Sequence, residues 1–244
     1  MSLKPMFDKV VRRYDLLNNI LTLGLHTKWR NICAANCLSS KDVIDICCGT
    51  GDLVLNMSEN TTPDAFILGL DFSKTMLQRA KIKKHLQWQT KSHNKIRQKN
   101  TGDNTNPNFV LADASRLPFR DDSVNRICIS FSFRNLTYKN SKAKPFLMEV
   151  LRSLRPQGKF IIMETSQPKS LLLRRLYHLY MSIAVPNIGW LLSKNKGAYH
   201  YLGISAKNFP PAEKIVTMLS DIGFRNVSFK HLTFGIVALH IGVK

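Results

Sequence analysis

The stretch Val43-Ile-Asp-Ile-Cys-Cys-Gly-Thr-Gly51 decides the fold. A short buried strand, Val43 to Cys48, runs into the turn Gly49-Thr50-Gly51, and Asp52 then opens a helix. A glycine-rich turn directly after a strand lets a ligand approach the backbone closely. In open sheets of parallel strands, ligands bind beyond the carboxyl ends of the strands. Asp45 and the turn Gly49, Thr50 and Gly51 are therefore candidate ligand contacts.

Working outward, Phe66 to Leu70 is a second apolar strand, with Asp71 at its end and a helix beginning near Ser73. Phe109 to Leu111 is a third, followed by Asp113-Ala114. Val124 to Phe131 is a fourth, with Ser130 near its end. Phe146 to Leu154 is helical by period, and Lys159 to Met163 is a fifth strand introduced by Pro156-Gln157-Gly158. Ala212 to Ile222 reads as a helix that stops at Gly223. Val227 to His231 and Ile236 to Ile241 are joined by a short turn near Thr233-Phe234-Gly235 and must run antiparallel. Strands alternating with helices imply an α/β fold, a largely parallel sheet with helices on both faces.

A carboxylate at Asp71 can accept both hydroxyls of a ribose. The turn lacks the full three-glycine dinucleotide signature, and the chain has no Gly-Lys-Ser/Thr phosphate loop. A ribose reader without a phosphate cradle suits an adenosine cofactor without phosphates, S-adenosylmethionine. Asp113, or the backbone beside it at Ala114, is placed to meet the adenine amino group, and Ser130 faces the same crevice.

Composition bounds the alternatives. The chain has 244 residues, 36 Lys plus Arg against 16 Asp plus Glu, and a formal charge of +20. Such a field attracts nucleic acid, anionic lipid headgroups or acidic small molecules. Cys33, Cys37, Cys47, Cys48 and Cys128 are odd in number, which argues against a disulfide framework, and their spacing supplies no zinc site. They read as small apolar residues of a reducing compartment. Met1 to Lys9 lacks the apolar core of a signal peptide.

Phe7, Val10, Val11, Tyr14, Leu17 and Leu21 recur at helical spacing, so the chain opens with an amphipathic helix. Lys81 to Asn108 carries seven Lys or Arg and one acid, and its later part reads as a solvated loop. Leu176 to Ser193 contains no Lys, Arg, Asp or Glu and reads as a buried or interfacial helix that breaks at Pro186. The whole is expected to form one domain over 1–244. It has an N-terminal helical segment at 1–40, a basic insert at about 88–108 and a lid-like helical region at about 169–205.

The chain resembles the class I, Rossmann-like methyltransferases, and within them the UbiE/MenG quinone-biosynthesis C-methyltransferases. Four segments in order carry the resemblance: Met6-Phe-Asp-Lys-Val-Val-Arg-Arg-Tyr-Asp-Leu-Leu-Asn18, Ile129-Ser-Phe-Ser-Phe-Arg-Asn135, Tyr199-His-Tyr-Leu202 and Gly235-Ile-Val-Ala-Leu-His-Ile-Gly242. It implies a seven-stranded sheet, five parallel strands plus a terminal antiparallel hairpin. It implies S-adenosylmethionine at Thr50, Asp71, Asp113-Ala114 and Ser130, and methylation of demethylmenaquinol or a ubiquinol precursor. Three positions depart from the pattern: Cys47 and Gln157 replace glycines, and Thr165 replaces an aromatic.

Under this reading Arg134 stabilises a quinol oxyanion, because guanidinium stays charged. Asn135 orients the ring, and Tyr14 or a water relays the proton. Tyr177, Tyr180 and Trp190 suit a membrane interface. The implied partners are a prenylated quinol, an anionic membrane surface met peripherally, and a second copy of the chain in a homodimer. No metal and no nucleic acid is called for, and the setting is cytoplasmic, at the inner face of the membrane. An RNA methyltransferase is the rival that the charge supports, but Phe133-Arg134-Asn135-Leu136 stands where an amino-methylation motif would be. A non-catalytic cofactor-binding protein is the other.

Overall fold

The computed structural model describes residues 11–38, 40, 42–62, 64–95 and 106–244. Phe7 and Val10, with the first part of the N-terminal signature, lie outside them, as do residues 96–105 of the basic insert. A 3-10 turn at Val11–Arg13 leads into α1 (Tyr14–Leu21) and α2 (Leu25–Cys37). The alternating part follows: β1 (Asp42–Ile46), α3 (Asp52–Glu59), β2 (Phe66–Asp71), α4 (Lys74–Lys95), β3 (Asn108–Leu111), β4 (Val124–Ser130), α5 (Phe133–Thr137), α6 (Ala143–Ser153) and β5 (Leu154–Thr165). A helical cap comes next, α7 (Leu171–Leu179), a π turn at Tyr180–Ala184, α8 (Val185–Ser193) and α9 (Lys196–Lys207). The chain closes with α10 (Ala212–Ile222), β6 (Arg225–Leu232) and β7 (Val237–Val243).

The seven strands form one sheet in the order β3-β2-β1-β4-β5-β7-β6. β1 to β5 pair in parallel, and β7 inserts antiparallel between β5 and β6. The expected hairpin is present, and within it only β7 runs against the rest. Its insertion places β6 on the outside, parallel in direction to β5.

Period-two alternation sorts the strand residues onto two faces. Ile44, Ile46, Leu68, Leu70, Ile127, Ile129, Phe160 and Ile162 pack in one core, where Phe133, Phe146, Phe209 and Phe224 also meet. Neighbouring rings there lie 5.8–6.4 Å apart at mostly tilted or edge-on angles, the favoured arrangement for aromatic pairs. Val43, Ile67, Cys128, Ile161 and Met163 pack on the other face against Trp29, Cys33 and Cys37 of α2 and Leu53, Val54 and Met57 of α3.

Two expectations are corrected. The basic insert expected from about 88 starts later, because the helix that begins near Ser73 continues to Lys95, so the first half of the basic stretch is helical. The cap helix does not break at Pro186. The proline occupies the first turn of α8, where its missing N–H costs little, and the wider π turn immediately before it absorbs the change. The cap is tightly knit: a Cβ at Gly189 would collide with the Tyr199 ring, and one at Gly203 with the Met181 carbonyl.

Candidate functional site

Two cavities meet above the carboxyl ends of the strands. The first, of about 300 Å³, lies over β1, β2 and β4, and Asp45, Gly49, Thr50, Asp71, Asp113 and Ser130 line it. The sequence-predicted residues thus converge, except Gly51 and Ala114. Gly51, at φ +80, caps the start of α3 and packs on Ala80 and Phe109, whereas Ala114 is buried in the core beside the cavity.

The turn is held by Asp71. One carboxylate oxygen accepts the Gly49 N–H at 2.8 Å and the other accepts the Ser73 N–H at 2.8 Å. Gly49 itself sits at φ +56, and a Cβ there would meet nothing within 4 Å, so the backbone offers a ligand an open cradle. Cys47 also takes positive φ, 56°, as does Gln157, 65°. Glycines are favoured at both places because a side chain in this region costs about 1–2 kcal/mol.

Asp45 is 2% exposed. Burial pushes its carboxyl up to about 8, opposed by Arg30 and reinforced by Asp71. A cationic ligand group would offset that burial. Asp113 is held below its usual range, first by the Ser115 N–H, which it accepts at 2.8 Å. The Ser130 hydroxyl is buried without a hydrogen-bond partner among the described residues. An open glycine cradle, an orphan hydroxyl and a carboxyl that disfavours its own charge fit an uncharged adenosine joined to a cationic centre, as in S-adenosylmethionine.

Over this cavity lies an ion cluster that sequence reasoning missed. Thr50 Oγ1 donates to Asp15 Oδ1 of α1 at 2.7 Å, and Lys83 of α4 pairs with Asp15 at 3.0 Å and with Asp52. Arg30 of α2 meets Asp52 at 2.8 Å. Four elements are thereby tied at the cofactor turn. The charged residues were visible one by one, but nothing in their spacing announced the cluster.

The second cavity, of about 450 Å³, is mostly apolar. Its walls come from α1, α2, the cap and the turn before β7, among them Leu21, His26, Trp29, Phe131, Tyr180 and Ile236. Tyr14, Arg30 and Asn135 line both cavities and mark their junction. Burial pushes the Tyr14 phenol up, so it stays protonated.

Arg134 reaches the second cavity as half of a buried ion pair, not a surface one. Its Nη1 donates to Glu164 Oε1 and Thr165 Oγ1, each at 2.9 Å, and its Nε donates to Ser205 Oγ at 3.0 Å. Nη2 has no partner among the described residues. The expected interfacial tyrosines turn inward: Tyr177 is buried, and the Tyr180 hydroxyl donates to the Leu21 carbonyl at 2.7 Å. The Tyr177 hydroxyl is buried without a hydrogen-bond partner among the described residues, and Trp190 faces out. No helix among the described residues is long and apolar enough to cross a membrane.

Comparison with known proteins agrees with this geometry. A model described as the ubiE/COQ5 methyltransferase family matches residues 2–244. Demethylmenaquinone methyltransferase of Geobacillus sp. (strain WCH70) is 31% identical over 241 residues, 98% of this chain and 95% of that protein. The ubiquinone/menaquinone biosynthesis C-methyltransferase UbiE of Blochmanniella floridana is 34% identical over 241 residues, 98% of this chain and 88% of that protein. Among solved structures, the Haloferax volcanii complex of the Trm112 methyltransferase activator with a putative methyltransferase matches at TM-score 0.64 and 16% identity, covering 99% of this chain and 97% of the other. The [4+2]-cyclase SpnF matches at TM-score 0.65 and 14% identity, covering 99% and 94%. At such identities the structures speak for the fold alone. From the full-length match and the cofactor site together, the chain is an S-adenosylmethionine-dependent methyltransferase that belongs to the ubiE/COQ5 methyltransferase family.

Proposed function

We propose that the chain methylates a ring carbon of a prenylated quinol, with demethylmenaquinol as the acceptor, in menaquinone or ubiquinone biosynthesis. The observation that carries this reading is the junction: a cavity floored by strand-end carboxylates opens into a more strongly apolar one at Tyr14, Arg30 and Asn135. An apolar wall suits a hydrocarbon ring and tail and offers little to a phosphate backbone. S-Adenosylmethionine supplies an electrophilic methyl group. The protein's part is to align the ring carbon with it and to exclude water.

Carbon is a weak nucleophile until a phenolic oxygen loses its proton. The free Nη2 of Arg134 is the group assigned to the resulting oxyanion. Glu164, Thr165 and Ser205 fix the guanidinium so that it need not reorganise. Asn135, whose Oδ1 makes a long 3.5 Å contact with the Tyr201 hydroxyl, has its amide left to orient the ring. Tyr14 acts as a donor. Peripheral membrane contact belongs to the same reading: Leu171, Leu172, Leu176, Leu179 and Ile183 are exposed along the cap beside Arg174 and Arg175.

The test uses isotope-labelled S-adenosylmethionine with reduced demethylmenaquinol in detergent, and bulk RNA in parallel. Label is expected in the quinol and falls in Arg134→Ala. Label in RNA alone would overturn the quinol reading, and bound cofactor with no label in either would leave a binding protein.

A further inference from the structure

We propose that His26 is the general base that takes the phenolic proton of the acceptor, through an unprotonated Nε2. The inference rests on the quinol reading above and adds the proton acceptor that this reading lacks.

His26 lies on the wall of the apolar cavity, one helical turn before Arg30 on the same face of α2. Arg30 lines both cavities, so the imidazole sits within a turn of their junction. Its tautomer follows from one hydroxyl proton. Thr22 Oγ1 lies 2.6 Å from the Asn18 carbonyl, a contact that only a donated hydroxyl proton can make. Thr22 has no second proton for His26 Nδ1, which lies 2.8 Å from Oγ1. Nδ1 must therefore carry the hydrogen and donate it to Thr22. The ring nitrogen left bare is Nε2, which has no hydrogen-bond partner among the described residues. Thr22 also accepts the backbone N–H of His26 at 3.3 Å, which fixes the ring against the start of α2.

The charge state agrees. Burial first, then Arg30, hold the imidazole below its usual range, so it is neutral at physiological pH. The groups facing it pull both ways: Asp15 of α1 and Asp52 of α3 favour the cation, and Arg30 and Lys83 oppose it. The carboxylates are there to receive the positive charge once the proton has moved.

The other candidates are less suited. Tyr14 is held protonated, and Arg134 is a permanent cation tied to Glu164. Between free groups the transfer from a phenol to an imidazole is roughly three to four powers of ten uphill. Arg134 Nη2 at the oxyanion reduces that gap. The steps balance as follows. The O–H bond breaks and Nε2–H forms. The oxygen's electron pair moves into the ring, whose carbon bonds to the methyl group, and the C–S bond breaks with its pair left on sulfur. The ring C–H proton then leaves to water, and imidazolium or water neutralises the remaining charge at the oxygen, so one proton is released per turnover.

The test measures demethylmenaquinol methylation against pH in wild type and His26→Gln, with cofactor affinity by calorimetry and histidine ring nitrogens by NMR in the full chain. The variant is expected to lose about 10²–10⁴-fold in kcat, with cofactor affinity within about twofold. The wild-type acid limb, with its inflection below 6.5, is expected to vanish. The NMR spectrum of wild type near neutral pH is expected to show His26 protonated at Nδ1 and bare at Nε2. Full activity with an unchanged acid limb in His26→Gln would overturn the base alone, as would an Nε2–H tautomer, even if the variant fails to fold. Wild-type protein that binds cofactor but leaves the quinol unmethylated would overturn the acceptor reading, and the base with it.

Discussion

The two cavities are built by opposite means. The cofactor cavity is made from the ends of adjacent parallel strands, and its groups are polar and held by backbone N–H donors. The acceptor cavity is made mostly from helices and turns, with only the ends of β5 and β7 reaching it through Thr165 and Val237, and its walls are apolar with few polar anchors. A sheet end fixes a few groups accurately, while a surface gathered from remote segments gives shape. Chemistry is thus inherited from the fold, and acceptor choice is left to the segments laid over it.

If the acceptor cavity depends on the buried Arg134–Glu164 ion pair, Arg134→Met should cost about 3–5 kcal/mol by stranding the Glu164 carboxylate, roughly 10 °C in Tm. Arg134→Met with Glu164→Leu should recover much of it in a thermal melt; no recovery would mean that the guanidinium packing, not its charge, holds the cavity. On the cofactor side, Asp71→Asn is expected to weaken S-adenosylmethionine binding about ten- to a hundredfold by calorimetry, about 1.4–3 kcal/mol. Unchanged binding would show that the turn holds without its carboxylate.

A third prediction contrasts two buried titrating groups. Asp45 is raised in the folded protein from 3.8 to about 8, so the folded state keeps a proton that the unfolded chain has released. Its contribution is full below about 4 and is lost as pH rises to about 8. His240 is lowered from 6.5 to about 4 by burial and acts the other way, adding stability as pH climbs through that window. Between about 4 and 6.5 the two oppose each other, and above 6.5 Asp45 acts alone. Stability of the cofactor-free protein should fall from pH 6.5 to 8, on the order of 2 kcal/mol, and Asp45→Asn should flatten that slope in denaturant titrations. The smallest effect belongs to neither cavity: Gln157→Gly should stabilise by about 0.5–1 kcal/mol by relieving an exposed positive φ.

The same contrast governs what could be read in advance. Asp45, Gly49, Thr50, Asp71, Asp113 and Ser130 were legible because each stands at or beside a strand end, and parallel strands deliver their ends to one place. The positive φ at Cys47 and Gln157 was foreshadowed by the glycines they replace. The acceptor side was less legible. Leu176 to Ser193 carries no charge to mark a solvent face, and the inward turn of Tyr177 and Tyr180 was hidden. Glu164 gave no sign of its pairing with Arg134, 30 residues away. Asp15, Lys83 and His26 gain their meaning only from contacts between elements distant in the chain, or from one threonine proton.

The close approaches at Gly189 and Gly203 seat α9 against α8 and against the π turn before it, and no charge is involved. The N-terminal helix packs Leu17 against the same cap, but it is fastened at its other side by Asp15, Thr50 and Lys83. Dissolved ions weaken only the second kind of fastening. Ionic strength therefore acts as a selective lever on this molecule: raising it should speed the exchange of α1 amide protons with solvent while those of α8 and α9 keep their pace.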